Sequence, residues 1–257
     1  MAVRPRSRGR GQHFLRSNKL AAELVRAARV QPDDLVLDLG AGTGVLTSAL
    51  VGAGARVVAV EIDAQLADGV MRRYPHVDVR VDDALRVRLP REPFKVVASL
   101  PFDGGTSILR RLLDPVVSLT TADVIVQWGL AEKRAAVWPS TQLSVYWGAW
   151  FELSVARRLP RCVFAPPPSV DAALLRIVRR DEGLVAVAER HSYQSFLARG
   201  FREGPGAVVP RKLLRRCETE LGFERHARAR DLDARQWASL FRQGRPERSI
   251  DNIRPVA

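Results

Sequence analysis

A glycine-rich turn near residue 40 has the composition of a ligand-binding loop. It reads Asp38-Leu39-Gly40-Ala41-Gly42-Thr43-Gly44 and lies between a short apolar segment and a stretch with helical spacing. Glycines at such a turn let the backbone approach a ligand closely. Val45 stands where the third glycine of the dinucleotide-binding pattern G-x-G-x-x-G would be, so the spacing disfavours a pyrophosphate-binding fold.

Two acids lie at or just beyond the ends of the next two predicted strands. Glu61 lies 21 residues after Gly40, where a carboxylate can accept hydrogen bonds from both hydroxyls of a ribose. Asp83 follows the third strand, where we expect its carboxylate to reach the exocyclic amine of an adenine. Taken singly, each acid is also compatible with a solvated strand end. Together they predict an adenosine site, with Ile62 and Ala84 beside them.

Alternating strands and helices are predicted to position these residues. Apolar runs predict strands at Leu35–Leu39, Arg56–Glu61, Val77–Val81, Lys95–Ser99, Asp123–Trp128, Phe151–Ala156 and Ala172–Val178. Helical spacing occurs at Gly44–Val51, Ala64–Arg73 and Thr106–Leu113. This alternation predicts an α/β fold with a doubly wound, mostly parallel sheet covered by helices on both faces.

The pattern changes near residue 179, beyond which only helices are predicted. They cover Leu184–Leu197, Val209–Leu221 and Ala234–Phe241, with Asp233 or Asp231 as the N-cap of the last. We therefore expect three parts: a basic N-terminal arm over residues 1–19, an adenosine-binding α/β domain over 20–178, and a small all-helical domain over 179–257.

With this order of strands, the glycine turn and the two acids, the chain resembles the class I S-adenosylmethionine-dependent methyltransferases, which have a Rossmann-like fold. The resemblance implies S-adenosyl-L-methionine as the cofactor. Residues expected to bind it are Gly40, Gly42, Glu61, Ile62, Asp83, Ala84 and Ser99.

The segment Ser99-Leu100-Pro101-Phe102 resembles the N-[IL]-P-[YF] motif of methyltransferases that modify the exocyclic nitrogen of adenine, with Ser99 in place of asparagine. The lone pair of that nitrogen is delocalised into the ring. Acceptors such as a side-chain oxygen and the Leu100 carbonyl, aimed at its two N–H bonds, favour the pyramidal amine. Phe102 is expected to stack on an adenine taken out of its helix, although core packing is an alternative. The shorter Ser99 leaves mono- or dimethylation open.

Three further segments narrow the resemblance to the Erm-type rRNA adenine N6-methyltransferases. Gly11-Gln12-His13-Phe14-Leu15 resembles the Q-N-F-L segment that lies over the methyl donor, which implies cofactor contacts from His13 and Leu15. Residues 164–174 resemble F-x-P-x-P-x-V-D-S-A-L, and residues 236–241 resemble the E-Q-[FW]-x-S-L-F ending. The resemblance implies one target adenine in the peptidyl-transferase region of 23S rRNA, naked or precursor, whose methylation confers resistance to macrolide-type antibiotics.

The charge of the chain is unevenly placed. The net charge is +13, with +6 over residues 1–19, +1 over 20–178 and +6 over 179–257. Basic ends around a neutral body favour a polyanion-binding surface. The expected RNA contacts are Arg4, Arg6, Arg8, Arg10, Arg16, Arg110, Arg111, Arg211, Lys212, Arg215 and Arg216. For each of them, a solvated surface charge is the alternative.

The sequence also argues against membrane-spanning, metal-binding and disulfide-rich proteins. No apolar run approaches the ~18 residues of a membrane span, and Cys162 and Cys217 have neither metal-ligand nor disulfide-framework spacing. We expect a cytoplasmic monomer without a metal. The alternatives are a housekeeping 16S rRNA adenine dimethylase, a catalytically inactive relative that binds RNA or DNA, and a small-molecule methyltransferase.

Overall fold

The structure, a computed structural model, describes residues 12–244. Its strands are β1 (Phe14–Leu15), β2 (Leu35–Leu39), β3 (Arg56–Glu61), β4 (Asp78–Val81), β5 (Phe94–Ser99), β6 (Leu119–Gln127), β7 (Phe151–Leu159), β8 (Phe164–Ala165) and β9 (Ala172–Arg179). Its α-helices are α1 (Asn18–Ala27), α2 (Val45–Gly52), α3 (Ala64–Arg73), α4 (Gly105–Leu112), α5 (Trp128–Ala135), α6 (Gln142–Gly148), α7 (Arg190–Glu203), α8 (Arg211–Leu221) and α9 (Ala234–Gln243). The described residues form two compact units.

The first unit comprises residues 12–136 and 150–182 and contains a seven-stranded sheet. The strand order is β4-β3-β2-β5-β6-β9-β7, and only β9 runs antiparallel to its neighbours. This topology confirms the predicted mostly parallel, Rossmann-like sheet. The chain moves outward from β2 to β4 and then returns to β5 on the other side of β2. The carboxyl ends of β2 and β5 are therefore the switch point at which such sheets bind ligands.

The central strands are apolar because both faces of the sheet are covered. Val36, Leu37 and Leu39 of β2 are almost fully buried, as are the interior residues of β3 and β5. Helices α1 and α2 pack together over one face, where Leu24 and Leu50 join the main core. Burying each such side chain contributes ~1.5–3 kcal/mol, which explains why continuous Val/Leu runs predicted these strands closely.

The structure adds elements that the sequence analysis did not predict. Helix α1 is N-capped by Ser17, whose Oγ accepts a hydrogen bond from the Leu20 amide at 3.1 Å. Strands β1 and β8 form a separate two-stranded antiparallel sheet, with Leu15 opposite Phe164. Residues 12–19, the described part of the predicted arm, thus belong to the first unit.

The second unit comprises residues 137–149 and 183–244 and is helical. Residues 137–149 had been expected in the 20–178 domain, but α6 contacts α7 and α9. Helix α7 begins at Arg190, six residues later than predicted, because a 3-10 turn at Val187–Glu189 precedes it. Asp233 is the N-cap of α9 and accepts from the Gln236 amide at 2.8 Å, which confirms one of the two predicted caps.

The aromatic C-terminal motif forms the core of this second unit. Trp237 and Phe241 are buried, and the Tyr193 and Phe241 rings lie 5.1 Å apart. The Trp237 indole donates to the Ala229 carbonyl at 3.1 Å and lies directly over Gly200. The motif at 236–241 therefore packs as a core-facing stripe. Among residues 12–244, no helix has the length and apolarity that a membrane crossing requires.

The contact between Gly200 and Trp237 predicts a stability effect. A Cβ at Gly200 would overlap the Trp237 indole, so we expect Gly200→Ala to lower the free energy of unfolding by about 1–3 kcal/mol. Gly69→Ala is the control, because Gly69 is also helical but has no atom near its Cβ position. That variant should gain about 0.5–1 kcal/mol. Urea denaturation measures both, and equal changes would contradict the expected clash.

Candidate active site

The glycine turn forms the floor of the site at the carboxyl end of β2. Gly40 and Gly42 have φ angles of +81° and +55°, which favour glycine because a Cβ is strained there. The amides of Gly40 and Ala41 both donate to the Val60 carbonyl, at 2.8 and 3.0 Å. These bonds fix the turn beside the end of β3.

Glu61 joins the turn to the next loop. Its side chain is buried, and its Oε2 accepts from the Gly42 amide at 2.8 Å while Oε1 accepts from the Asp63 amide at 2.9 Å. Each carboxylate oxygen keeps a further lone pair that can accept from a ribose hydroxyl. The neighbouring Ile62 is 62% exposed, as expected of an apolar side chain that covers a ligand.

Asp83 and Ala84 lie in the loop after β4, next to the end of β3. Strand pairing puts Glu61 opposite Val81, two residues before Asp83. Asp83 is half-buried, and its Oδ1 accepts from the Leu85 amide at 2.9 Å. The structure thus brings the predicted ribose and adenine acids to neighbouring strand ends.

Asp38 belongs to the same site, although the sequence analysis did not assign it a role. It is 1% exposed, and its Oδ2 accepts from the Thr47 hydroxyl at 2.7 Å. Its Oδ1 is buried with no hydrogen-bond donor among the described residues. Burial raises the pKa of Asp38 to about 7; the Thr47 hydrogen bond opposes the rise and the nearby Glu61 charge adds to it. The sequence feature that could have assigned Asp38 to the site is its position two residues before Gly40.

These residues fit S-adenosylmethionine. The cofactor carries an ammonium group on its amino-acid end, and a buried carboxylate oxygen without a donor is a matching acceptor. The glycine turn permits close approach, and Glu61 and Asp83 would hold the ribose and the adenine amine through their free lone pairs. When bound, the cofactor supplies an activated methyl group on a sulfonium.

The predicted target-base segment directly adjoins the glycine turn. The Cβ position of Gly40 lies 3.4 Å from the Ser99 carbonyl oxygen, at the end of β5. Leu100 is buried, and its amide donates to the Ile125 carbonyl at 3.0 Å, which holds the segment on β6. Pro101 is exposed, and its carbonyl accepts from the Gly104 amide at 3.0 Å at the start of α4.

The rings of Phe102, His13 and Phe164 form an aromatic group at the target-base segment. The half-buried Phe102 ring lies 5.2 Å from His13 and 6.1 Å from Phe164, measured between centroids. His13 Nδ1 donates to the Pro166 carbonyl at 2.8 Å. The motifs at 12–15 and 164–166, separated by about 150 positions in the chain, therefore meet at the β1–β8 sheet.

Phe14, rather than Leu15, covers the glycine turn. The Phe14 ring occupies the space beside Gly42, where a Cβ would lie 2.8 Å from it. The Leu15 side chain is 6% exposed and belongs to the hydrophobic core. Successive residues of a strand face opposite sides, so the two side chains diverge. The Leu15 side chain therefore lies on the core side of β1, and its expected contact with the cofactor stays a prediction.

The predicted RNA contacts differ in their surroundings. Arg4, Arg6, Arg8 and Arg10 lie outside the described residues. Arg16 and Arg110 are exposed in the first unit, and Arg211, Lys212 and Arg215 are exposed on α8 in the second. Arg216 is exposed as well, but it pairs with Glu220 at 3.4 Å and donates to Gln243 at 2.8 Å.

Arg111 does not extend from the surface as an RNA contact would. Its guanidinium donates to the Ala84 carbonyl at 2.9 Å and to the Val87 carbonyl. Both carbonyls belong to the loop that carries Asp83. Residue type and position alone could not separate this arginine from its exposed neighbour Arg110.

An open cavity of about 420 Å³ lies next to the aromatic group in the first unit. Its walls include Arg16, Arg161 and the exposed Cys162, with Phe164 on one side. Among residues 12–244, no cluster of three or more His, Cys, Asp or Glu side chains could hold a metal ion.

Comparison with known proteins identifies relatives along most of the chain. Residues 6–207 match the ribosomal RNA adenine dimethylase family. An rRNA adenine N-6-methyltransferase of Corynebacterium diphtheriae is 34% identical over 209 residues, covering 79% of this chain and 81% of the relative. The mycinamicin-resistance protein MyrB of Micromonospora griseorubida is 36% identical, and the match covers 90% of this chain and 77% of MyrB.

Two further proteins bear on the choice of substrate. The ribosomal RNA small subunit methyltransferase A of Streptomyces avermitilis is 36% identical, and the match covers 74% of this chain and 68% of that enzyme. The crystal structure of the 23S rRNA methyltransferase ErmE has a TM-score of 0.80 and 29% identity, and it covers 90% of this chain and 99% of the other.

The buried Asp38 predicts a pH-dependent cofactor affinity. Because its pKa is raised to about 7, the carboxyl must lose a proton to accept an ammonium group. We therefore expect the affinity for S-adenosylmethionine to rise from about pH 6 to about pH 8, with proton release on binding. Calorimetry in two buffers of different ionisation enthalpy measures that release.

Asp38→Asn is the matched variant, because the side chains have similar shape. It should bind the cofactor about tenfold more weakly at about pH 8. It should also lose the part of the pH dependence that belongs to Asp38. Identical pH profiles for the two proteins would contradict a role for this carboxylate in binding.

Proposed function

Given that the chain belongs to the ribosomal RNA adenine dimethylase family and is an S-adenosylmethionine-dependent rRNA adenine N6-methyltransferase, we propose that its substrate is one adenine in the peptidyl-transferase region of 23S rRNA. The proposed outcome is resistance to macrolide-type antibiotics. Two similarities support this choice, one to a mycinamicin-resistance protein and one to the 23S rRNA methyltransferase ErmE.

The adjacency of Gly40 and Ser99 is the observation that carries methyl transfer to a base, whereas the two similarities carry the choice of RNA. The cofactor turn and the target-base segment lie at the ends of adjacent strands, with 3.4 Å between the Gly40 Cβ position and the Ser99 carbonyl. We assign acceptance of the two target N–H bonds to the Ser99 hydroxyl and the Leu100 carbonyl. No strong base is needed, because in-line positioning of the nitrogen, methyl and sulfur does most of the work.

Phe102 is assigned to stack on the extruded adenine. Its ring is held by His13 and Phe164 and remains partly exposed. A base taken out of its helix exposes both faces, and an aromatic ring replaces the stacking lost on one of them. Ser99 has less reach than asparagine, so the number of methyl groups transferred is an outcome of the experiment below.

The RNA backbone is assigned to basic residues of both units. In the first unit, Arg16 and Arg161 line the open cavity, and Arg110 is exposed on α4. In the second, α8 presents Arg211, Lys212 and Arg215, and we propose that the domain predicted over 179–257, to which α8 belongs, binds RNA. Phosphate contacts position the substrate, whereas unpaired bases specify it.

We further propose that the protein is a cytoplasmic monomer and that it acts on naked or precursor 23S rRNA. Cys162 and Cys217 are free thiols, as suits a reducing compartment. The principal rival is a housekeeping 16S rRNA dimethylase. Similarity to such a small-subunit enzyme covers 74% of this chain, whereas similarity to MyrB covers 90% and extends further along it.

Methylation of purified RNAs tests the choice of substrate. We expect labelled methyl groups from S-adenosylmethionine on naked 23S rRNA, at one adenine in the peptidyl-transferase region. Mass spectrometry of nuclease fragments gives the position and the number of methyl groups. Small-subunit particles and naked 16S rRNA serve as the comparison. Label that appears only on 16S rRNA would overturn the proposed substrate and support the housekeeping rival.

Phe102 provides a test of base stacking. We expect Phe102→Ala to lower methyl transfer by about ten- to a hundredfold, since a stacked base contributes ~1–3 kcal/mol. S-adenosylmethionine affinity, measured by calorimetry, should remain close to that of the unchanged protein. Phe102→Tyr keeps the aromatic ring and should retain most of the transfer. Equal loss of transfer and cofactor binding in Phe102→Ala would instead indicate a structural role.

A further inference from the structure

Helix α4 connects the target-base segment with the loop over the cofactor's adenine. The helix begins at Gly105, three residues after Phe102, and carries Arg111 in its last turn. From there the Arg111 guanidinium reaches the loop after β4 and donates to the carbonyls of Ala84 and Val87. One arginine thus contacts two points of the loop that contains Asp83.

The loop also contains hydrogen bonds of its own. The Asp83 carbonyl accepts from the Arg86 and Val87 amides at 2.7 and 2.8 Å, which closes a tight turn. Oδ1 of the Asp83 carboxylate accepts from the Leu85 amide, which leaves Oδ2 available to an incoming donor. The Ala84 and Val87 carbonyls accept hydrogen bonds from Arg111.

The charge and burial of Arg111 are those of a side chain that binds the protein's own loop. Arg111 is partly buried, whereas the preceding Arg110 is exposed. Burial lowers the pKa of the Arg111 guanidinium, and the charges of Asp82 and Asp83 oppose that shift. Two of the five N–H groups of this guanidinium are committed to backbone carbonyls, and partial burial of the side chain limits the access of a phosphate to the others.

We propose that Arg111 is a positioning residue for the methyl donor, which holds the 83–87 loop so that Asp83 can accept the adenine amine. This inference rests on the proposed cofactor role of Asp83 and replaces the expected RNA contact at Arg111. Arginine suits the task because its planar fork can donate to two carbonyls at once. A lysine at this position carries the charge on a single nitrogen.

Calorimetric titration with S-adenosylhomocysteine, the demethylated cofactor, tests the proposal in the full-length protein. We expect Arg111→Ala to weaken binding by about tenfold, the size expected for two lost bonds from a charged donor. Arg111→Lys should recover part of that loss. Arg110→Ala is the matched comparison and should bind S-adenosylhomocysteine as tightly as the unchanged protein. Thermal unfolding of each variant reports whether it is folded.

A second ligand separates positioning from general loss of structure. The probe is an S-adenosylhomocysteine analogue with purine in place of adenine, which lacks the amine that Asp83 would accept. If Arg111 acts through Asp83, Arg111→Ala and the unchanged protein should bind this analogue with similar affinity. An equal loss for both ligands would overturn the proposal.

Binding to a 23S rRNA fragment supplies the remaining readout. Arg111→Ala should keep the RNA affinity and its salt dependence, whereas Arg110→Ala should weaken RNA binding. Weaker RNA binding with unchanged S-adenosylhomocysteine affinity in Arg111→Ala would restore the RNA-contact role and overturn the positioning role. A failure of the 23S substrate assignment would not alter the S-adenosylhomocysteine titrations, so the two proposals fail separately.

Discussion

The close approach of two backbones at the switch point of the sheet is the constraint on which the site depends. Gly40 and Ser99 stand at the ends of β2 and β5, and a Cβ at Gly40 would be in van der Waals contact with the Ser99 carbonyl. Methyl transfer needs the donor and the accepting nitrogen within bonding distance, so the two loops that hold them must be in contact. Parallel strands meet this need because their carboxyl ends lie at the same edge. The positive φ of Gly40 and the buried core beneath it serve this single contact.

Buried carboxylates then give the turn its shape and its selectivity. Glu61 accepts from the Gly42 amide and the Asp63 amide, so its charge is balanced by backbone dipoles rather than by a cation. Asp38 is less well satisfied: one oxygen accepts from Thr47, and the other has no donor within residues 12–244. A buried acceptor without a donor is unfavourable in the free protein, and a ligand that supplies the donor removes that cost. The site therefore favours ligands that combine an ammonium group with two ribose hydroxyls.

The sequence predicted the elements that depend on residues close together in the chain, but not the contacts between distant residues. Strands β2 and β3 matched their predicted bounds because uninterrupted apolar runs reflect burial on both faces. Strands β1 and β8 were missed because each has two residues and its partner lies about 150 positions away, so no periodicity marks them. Phe14 and Leu15 could not be told apart without that pairing, which decides the face each side chain takes. Arg111 differs from Arg110 only in three dimensions, where one reaches two carbonyls and the other reaches solvent.

The β1–β8 sheet also sets an order for the maturation of the enzyme during its synthesis. The ring that covers the cofactor turn comes from the fourteenth residue, yet the strand that holds it in place is not made until about 150 residues later. Translation proceeds from the N-terminus, so the glycine turn and its acids can fold before their cover has a partner. The pairing that holds Phe14 over the glycine turn therefore cannot form until Phe164 and Ala165 have been synthesised.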